Sequence, residues 1–216
     1  MHGDDKASVA ASVPYLRSYI DSFRMYAYTP VSPSDLKGKT SAEVPKPLPE
    51  GRVIASEWSP REEGHIKVNV DAGWNPTSKR TGIGIIARNS QGRVLRTEWK
   101  HVDSCVSAEE AEVLACLEGL GHLIQYFAGQ GILETDCLRV VQVLNANDRD
   151  RSECWNLYMQ AQDILRVYGG IRVVKVGRLG NAAAHSLASL GKSGASESLC
   201  NAAPPCVAEI VANDVT

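Results

Sequence analysis

From Ile66 onward the spacing of apolar residues switches between two periods, and the order of the switches leaves few folds open. In "KVNVDAG" Val68 and Val70 point to one face and Lys67, Asn69 and Asp71 to the other, the period-two alternation of a strand. After a turn holding Asn75, Pro76 and the basic tip Lys79-Arg80, "TGIGIIARN" alternates Gly with Ile, and "NSQGRVLRTEWKHV" turns at Gly92 into a third strand. The period then lengthens to that of a helix over about 107–127, opened by Ser107 and Glu110 at the S-x-x-E spacing of a capping box. "GILETD" reads as a short fourth strand, 138–146 and 152–168 as helices, "IRVVKVGR" as a fifth strand and "NAAAHSLASL" as a last helix. A three-strand meander followed by helices alternating with strands predicts an α/β layer sandwich, a five-stranded mixed sheet with helices on both faces.

Residues 1–57 have another character. Val9, Val13, Leu16, Ile20 and Phe23 recur at helical spacing, and Pro30, Pro33, Pro45, Pro47 and Pro49 follow among Ser, Lys and Glu as an extended linker. The chain therefore divides into a helix and Pro-rich linker over 1–57, a folded domain over 58–195 and a C-terminal extension over 196–216. No apolar run is long enough to span a bilayer, and the acidic N-terminus lacks the charge and apolar core of a secretory signal. The expected setting is intracellular, nucleus or cytoplasm, and the expected state a monomer. Six cysteines without a CxxC read as reduced thiols. A net charge of −2 gives no global attraction to nucleic acid, but the charge is unevenly spread. Lys67, Lys79, Arg80, Arg88, Arg93, Arg96 and Lys100 face only Asp71 and Glu98 in their stretch, whereas Asp103 to Asp136 holds seven acids and no Lys or Arg. A basic sheet edge beside an acidic cluster would suit metal-dependent chemistry on a polyanion.

The acids of the long helix separate by position. Glu109 and Glu110 lie in the first turn, where capping and the helix dipole account for them. Glu118 shares a stripe with His122 and Gln125, read as a solvent face. Glu112 instead heads the stripe 112, 116, 119, 123 (Glu, Cys, Gly, Leu), which borders the apolar row Val113, Leu117, Leu120, Ile124 and Phe127. A glutamate there is costly without a partner, and the neighbouring segment offers no cation. Asp136 ends the fourth strand as Asp71 ends the first, and parallel strands bring their C-terminal ends to one edge of a sheet. Three carboxylates that converge cannot all stay ionised uncompensated: either their pKa values rise or a divalent cation neutralises them, and oxygen ligands suit Mg²⁺ or Mn²⁺.

"VNVDAG", "AEVLACLEGL", "LETDC" and "RLGNAAAHSLA", in that order and on those elements, resemble the motifs of type 1 ribonuclease H domains of plant genomes, which are related to the C-terminal parts of non-LTR retrotransposon polyproteins. The resemblance runs from about Trp58 to the C-terminus, including "WSP" and "PPCVAEIVANDV", and implies a ribonuclease H-like fold. Residue by residue, Asp71, Glu112 and Asp136 match three metal-binding carboxylates, and His185, four residues after Asn181, stands at the fourth position, where bacterial and animal-type enzymes carry an aspartate. Imidazole is a poorer ligand for Mg²⁺ than for Mn²⁺. The family's loop histidine, which assists product release, is replaced by Arg178.

The implied activity is cleavage of the RNA strand of an RNA/DNA hybrid with two Mg²⁺ or Mn²⁺ ions held by Asp71, Glu112, Asp136 and His185, and with Lys79, Arg80, Arg178 and Asn181 against the nucleic acid. The alternative is a domesticated module that keeps the fold, has weak or no turnover, and binds nucleic acid or a protein partner; His185 and the replaced loop histidine favour it. Exonuclease or integrase chemistry on the same fold fits less well: the first wants an acid where Gly73 stands, the second a glutamate where His185 stands.

Overall fold

The structure is a computed structural model that describes residues 65–103, 105–146 and 152–214. The helix and linker predicted over 1–57 lie outside the described residues. Strands β1 (Lys67–Trp74), β2 (Thr81–Arg88) and β3 (Val94–Val102) form the antiparallel meander. They are followed by α1 (Ala108–Phe127), β4 (Gln130–Thr135), α2 (Leu138–Asn145), α3 (Trp155–Val167), β5 (Gly170–Lys175) and α4 (Ala182–Lys192), the last entered through a 3-10 turn at Leu179–Asn181. Strand β4 lies parallel to β1, and β5 parallel to β4.

Among the described residues the sheet has six strands rather than the five expected, in the order β5-β4-β1-β2-β3-β6. The sixth, β6 (Glu197–Cys200), pairs antiparallel with β3 and leads into α5 (Pro205–Asn213). Its four residues, "ESLC", are too few to show alternation, and it exists because β3 offers a free edge. Beyond the ladder, Thr97 Oγ1 donates to the Ala202 carbonyl at 3.0 Å and the Asn201 N–H to that of Leu95 at 2.9 Å.

Helices cover both faces, as expected. On one, the α1 row Val113, Leu117 and Leu120 is buried against Val68, Val70, Ile83, Ile85 and Leu133, with Tyr158 and Ile164 of α3 in the same core. Each such side chain contributes roughly 2 kcal/mol by leaving water. On the other face Ala183, Ala184 and Leu187 of α4 pack with Ile86, Trp99 and Val207 of α5. The Gly-Ile alternation of β2 now has a cause. A Cβ at Gly82 would stand 2.0 Å from the Ala188 carbonyl oxygen, and one at Gly84 2.2 Å from that of Ala184. Only glycine lets the backbone of α4 lie against the strand, while the intervening Ile83 and Ile85 fill the opposite core.

Two readings of charge are corrected. The stripe of Glu118 and His122 is not a solvent face: His122 is buried and 3.1 Å from Glu98, and Glu118 accepts from Lys100 Nζ at 2.7 Å. Arg96 stacks its guanidinium 4.1 Å from the centre of the Tyr126 ring. Residues 118, 122 and 126 of α1 thus meet 100, 98 and 96 of β3 because four helical residues rise about 6 Å and two strand residues about 6.6 Å, so the two rows stay in step. Nor do the basic residues of 67–100 all line an edge. Lys67, Arg88 and Arg96 are interior, Lys67 paired with Glu134 at 2.9 Å and Arg88 with Asp214 at 2.6 Å. Among the described residues no helix is long and apolar enough to cross a membrane.

Candidate metal centre

Helix α1 starts where the sequence sets it: Ser107 Oγ accepts the Glu110 N–H at 3.1 Å, and the Glu110 carboxylate takes the Val106 N–H at 2.6 Å. That start decides where Glu112 points. A Cβ on Gly119 would stand 2.5 Å from Val70 Cγ1 and 2.6 Å from Leu133 Cδ1, so the stripe 112–116–119–123 runs over the seam between β1 and β4. Its N-terminal member, Glu112, then reaches the end of the sheet where Asp71 and Asp136 stand.

Asp71, Glu112 and Asp136 each place a carboxylate oxygen within 4.8 Å of the others. Asp71 is buried at 4% exposure, and Glu112 Oε2 is buried with no hydrogen-bond partner among the described residues. Burial, then the neighbouring Asp136, pushes the Asp71 carboxyl up to about 6 against the opposing pull of His185. Burial, then the charges of Asp71 and Asp136, pushes Glu112 up to about 8. Three crowded acids, the carboxyls of Asp71 and Glu112 pushed up, and an orphaned buried oxygen fit a hard divalent cation, which would supply both the missing charge and the missing partner.

His185 stands at the rim. Its ring comes from α4, its side chain is 54% exposed, and its Nδ1 lies 2.9 Å from Asp71 Oδ2. Asn181, expected at the nucleic-acid surface, is instead buried. Its Nδ2 donates to the Val70 carbonyl at 2.9 Å and its Oδ1 accepts from Asn69 Nδ2 at 3.3 Å, so it ties the start of α4 to β1. Arg178 is exposed just before that turn.

Lys79 and Arg80 are exposed on the β1–β2 turn, which Asn75 shapes by accepting the N–H groups of Thr77 and Ser78. Lys79 Nζ lies 5.3 Å from the centre of the Trp74 ring. The sequence reading missed Lys192. It is exposed, and its Nζ would be 3.7 Å from a Cβ on Gly73, two residues past Asp71. The available signal was its spacing, seven residues after His185 and so on the same helix face.

A profile described as reverse transcriptase-like matches residues 69–191, more than half of the chain, a span that holds the three carboxylates and His185. The chain belongs to the reverse transcriptase-like family. Solved structures similar to this reverse transcriptase-like protein include the N-terminal RNase H domain of Rv2228c from Mycobacterium tuberculosis, 20% identical over 60% of this chain and 94% of that one, with a TM-score of 0.55. RNase H1 from the archaeon Halobacterium salinarum is 18% identical over 61% of this chain and all of its own, also at 0.55. LC11-RNase H1, isolated from compost and solved with an RNA/DNA hybrid, is 16% identical over 60% of this chain and 97% of its own, at 0.54. These likenesses show the fold to be ribonuclease H-like. No curated protein sequence is matched.

Proposed function

We propose that this protein is a divalent-metal-dependent nuclease that cuts the RNA strand of RNA/DNA hybrids. The observation that carries the reading is the convergence of Asp71, Glu112 and Asp136 from within β1, the start of α1 and the end of β4, with one buried Glu112 oxygen that has no partner among the described residues. Those three side chains would hold two Mg²⁺ or Mn²⁺ ions, with His185 beside the second. When bound, the ions would activate a water for attack on phosphorus and offset charge on the departing 3′-oxygen. The protein's own groups do the rest. His185 Nδ1 fixes one Asp71 oxygen, while Asn181 holds the Val70 carbonyl, part of the peptide that carries Asp71. Lys79, Arg80 and Lys192 from two adjoining segments, with Arg178 on a third, present cations for phosphates without reading bases. Choice of the RNA strand rests on its 2′-hydroxyls and on duplex shape.

The test is cleavage of labelled hybrid, single-stranded RNA and duplex DNA with Mg²⁺ and Mn²⁺ in parallel, beside Asp71→Asn. Hybrid alone should be cut, and Asp71→Asn should lower the rate by about a thousandfold or more while the fold persists, as when a group needed in the transition state is removed. A variant as fast as wild type would place the activity elsewhere. A second reading, a binding module without turnover, is favoured by one feature, an imidazole, that of His185, at the position of a fourth acid. It gains if hybrid binds and is never cut in either metal.

A further inference from the structure

We propose that Asp214, in the C-terminal segment beyond the family-matched residues, is a positioning residue for the carboxylate centre, acting through a buried polar chain. The proposal rests on reading that centre as a metal site. The chain begins at Asp214, whose Oδ2 accepts from Arg88 Nη1 at 2.6 Å. Arg88 Nη2 donates to Asn69 Oδ1 at 2.9 Å, and Asn69 Nδ2 donates to Glu134 Oε2 at 3.0 Å and to Asn181 Oδ1 at 3.3 Å. Lys67 Nζ holds the other Glu134 oxygen at 2.9 Å. All five interior members, Lys67, Asn69, Arg88, Glu134 and Asn181, are at most 3% exposed.

Interior charges of this kind add little stability over apolar residues of similar volume, so their placement is the informative fact. Asn69 precedes Asp71 by two residues on β1, so the two share a sheet face, and Glu134 is the last residue but one of β4, two residues before Asp136, which follows the strand directly. Asn69 and Glu134 are register partners across the two strands. Asn181 lies one helical turn before His185 and grips the peptide that leads into Asp71. The chain therefore fixes the spacing of three site residues on three elements. Arg88 is its junction, a guanidinium whose planar fork bonds Asp214 on one side and Asn69 on the other. Without the Asp214 carboxylate, a fully buried cation loses a compensating charge and swings from Asn69, which releases Asn181 and the start of α4.

The experiment uses the full chain and three variants. Mn²⁺ affinity is read from the electron paramagnetic resonance of free Mn²⁺, and the side-chain amides of Asn69 and Asn181 are followed by NMR. Asp214→Asn should weaken Mn²⁺ binding by about tenfold, as for loss of groups that orient metal ligands, and should shift both amide resonances. Asp214→Glu should restore most of both. Val207→Ala, which trims the same segment away from the polar chain, should lower the melting temperature and leave both readouts as in wild type. Should Asp214→Asn fail to fold, Arg88→Lys, which keeps the charge and loses the fork, should weaken Mn²⁺ binding to a similar degree. Wild-type affinity and unmoved amides in Asp214→Asn would overturn the proposal, as would equal weakening by Val207→Ala. If wild type binds no Mn²⁺, the metal reading fails on its own and the amide resonances alone decide the role of Asp214.

Discussion

Glu112 and Asp71 keep protons in the fold at pH values where both would be ionised in an unfolded chain. The folded state therefore binds more protons than the unfolded one over that interval, and stability falls as pH rises. The stabilisation is complete below about pH 4 and is lost as pH passes through about 6 for Asp71 and about 8 for Glu112. The metal-free protein should show a falling melting temperature between about pH 5 and pH 8.5, and Glu112→Gln should flatten the upper half of that fall. Excess Mn²⁺ should restore the loss at high pH. A melting temperature that climbs across the interval would mean that the carboxylates are not crowded in solution. At the neighbouring position an imidazole stands for a carboxylate, so the second ion meets one negative charge fewer. His185→Asp should raise hybrid cleavage in Mg²⁺ by roughly tenfold, a modest share of one unit-charge interaction near a protein surface, with a smaller gain in Mn²⁺. Metal titrations of both proteins check this, and equal behaviour would make His185 a bystander.

At the scale of elements, the contact of α4 with β2 places His185. The helix can come close enough only because β2 has hydrogen where other residues have Cβ. Gly84→Ala would drive a methyl against the Ala184 carbonyl, a backbone atom that cannot rotate away, and should cost about 3 kcal/mol, the upper range for overpacking. Gly169→Ala, whose added Cβ meets nothing within 4 Å, should change stability by less than about 1 kcal/mol. Urea denaturation of the two variants makes the comparison. If both are equally mild, α4 is not seated on β2 as described. The paired rows of α1 and β3 are the same phenomenon on the opposite face: near-equal rises keep Glu118, His122 and Tyr126 opposite Lys100, Glu98 and Arg96.

For the whole molecule, β6 and α5 convert an open sheet edge and an uncovered patch into interior. Trp99 and Ile86 are buried with Val207 against them, and β3 would otherwise show unpaired backbone groups to solvent. Val207→Ala should therefore cost about 2 kcal/mol in chemical denaturation, from the lost transfer energy and the cavity left behind. It should also red-shift tryptophan emission as water reaches Trp99. No loss of stability would mean that the C-terminal segment rests on the domain without sharing its core.

The sequence by itself determined the strand meander, the helix opening at Ser107 and the end of β4, because alternation and capping are local signals within a few residues of one another; the end of β1 it placed at Asp71, whereas pairing with β2 carries that strand on to Trp74. It also singled out Glu112, since an acid heading a stripe of small residues is anomalous wherever the helix packs. The tertiary structure alone decided which charges are interior. Lys67 finds Glu134, and Arg88 finds Asp214, across long stretches of chain. No local pattern distinguishes such a cation from a solvated one. The same holds for β6, whose four residues become a strand only against the free edge of β3, and for His122, which is buried because Glu98 meets it there. Local periodicity thus wrote the elements, whereas the pairing of distant polar groups waited on the sheet order that brought them together.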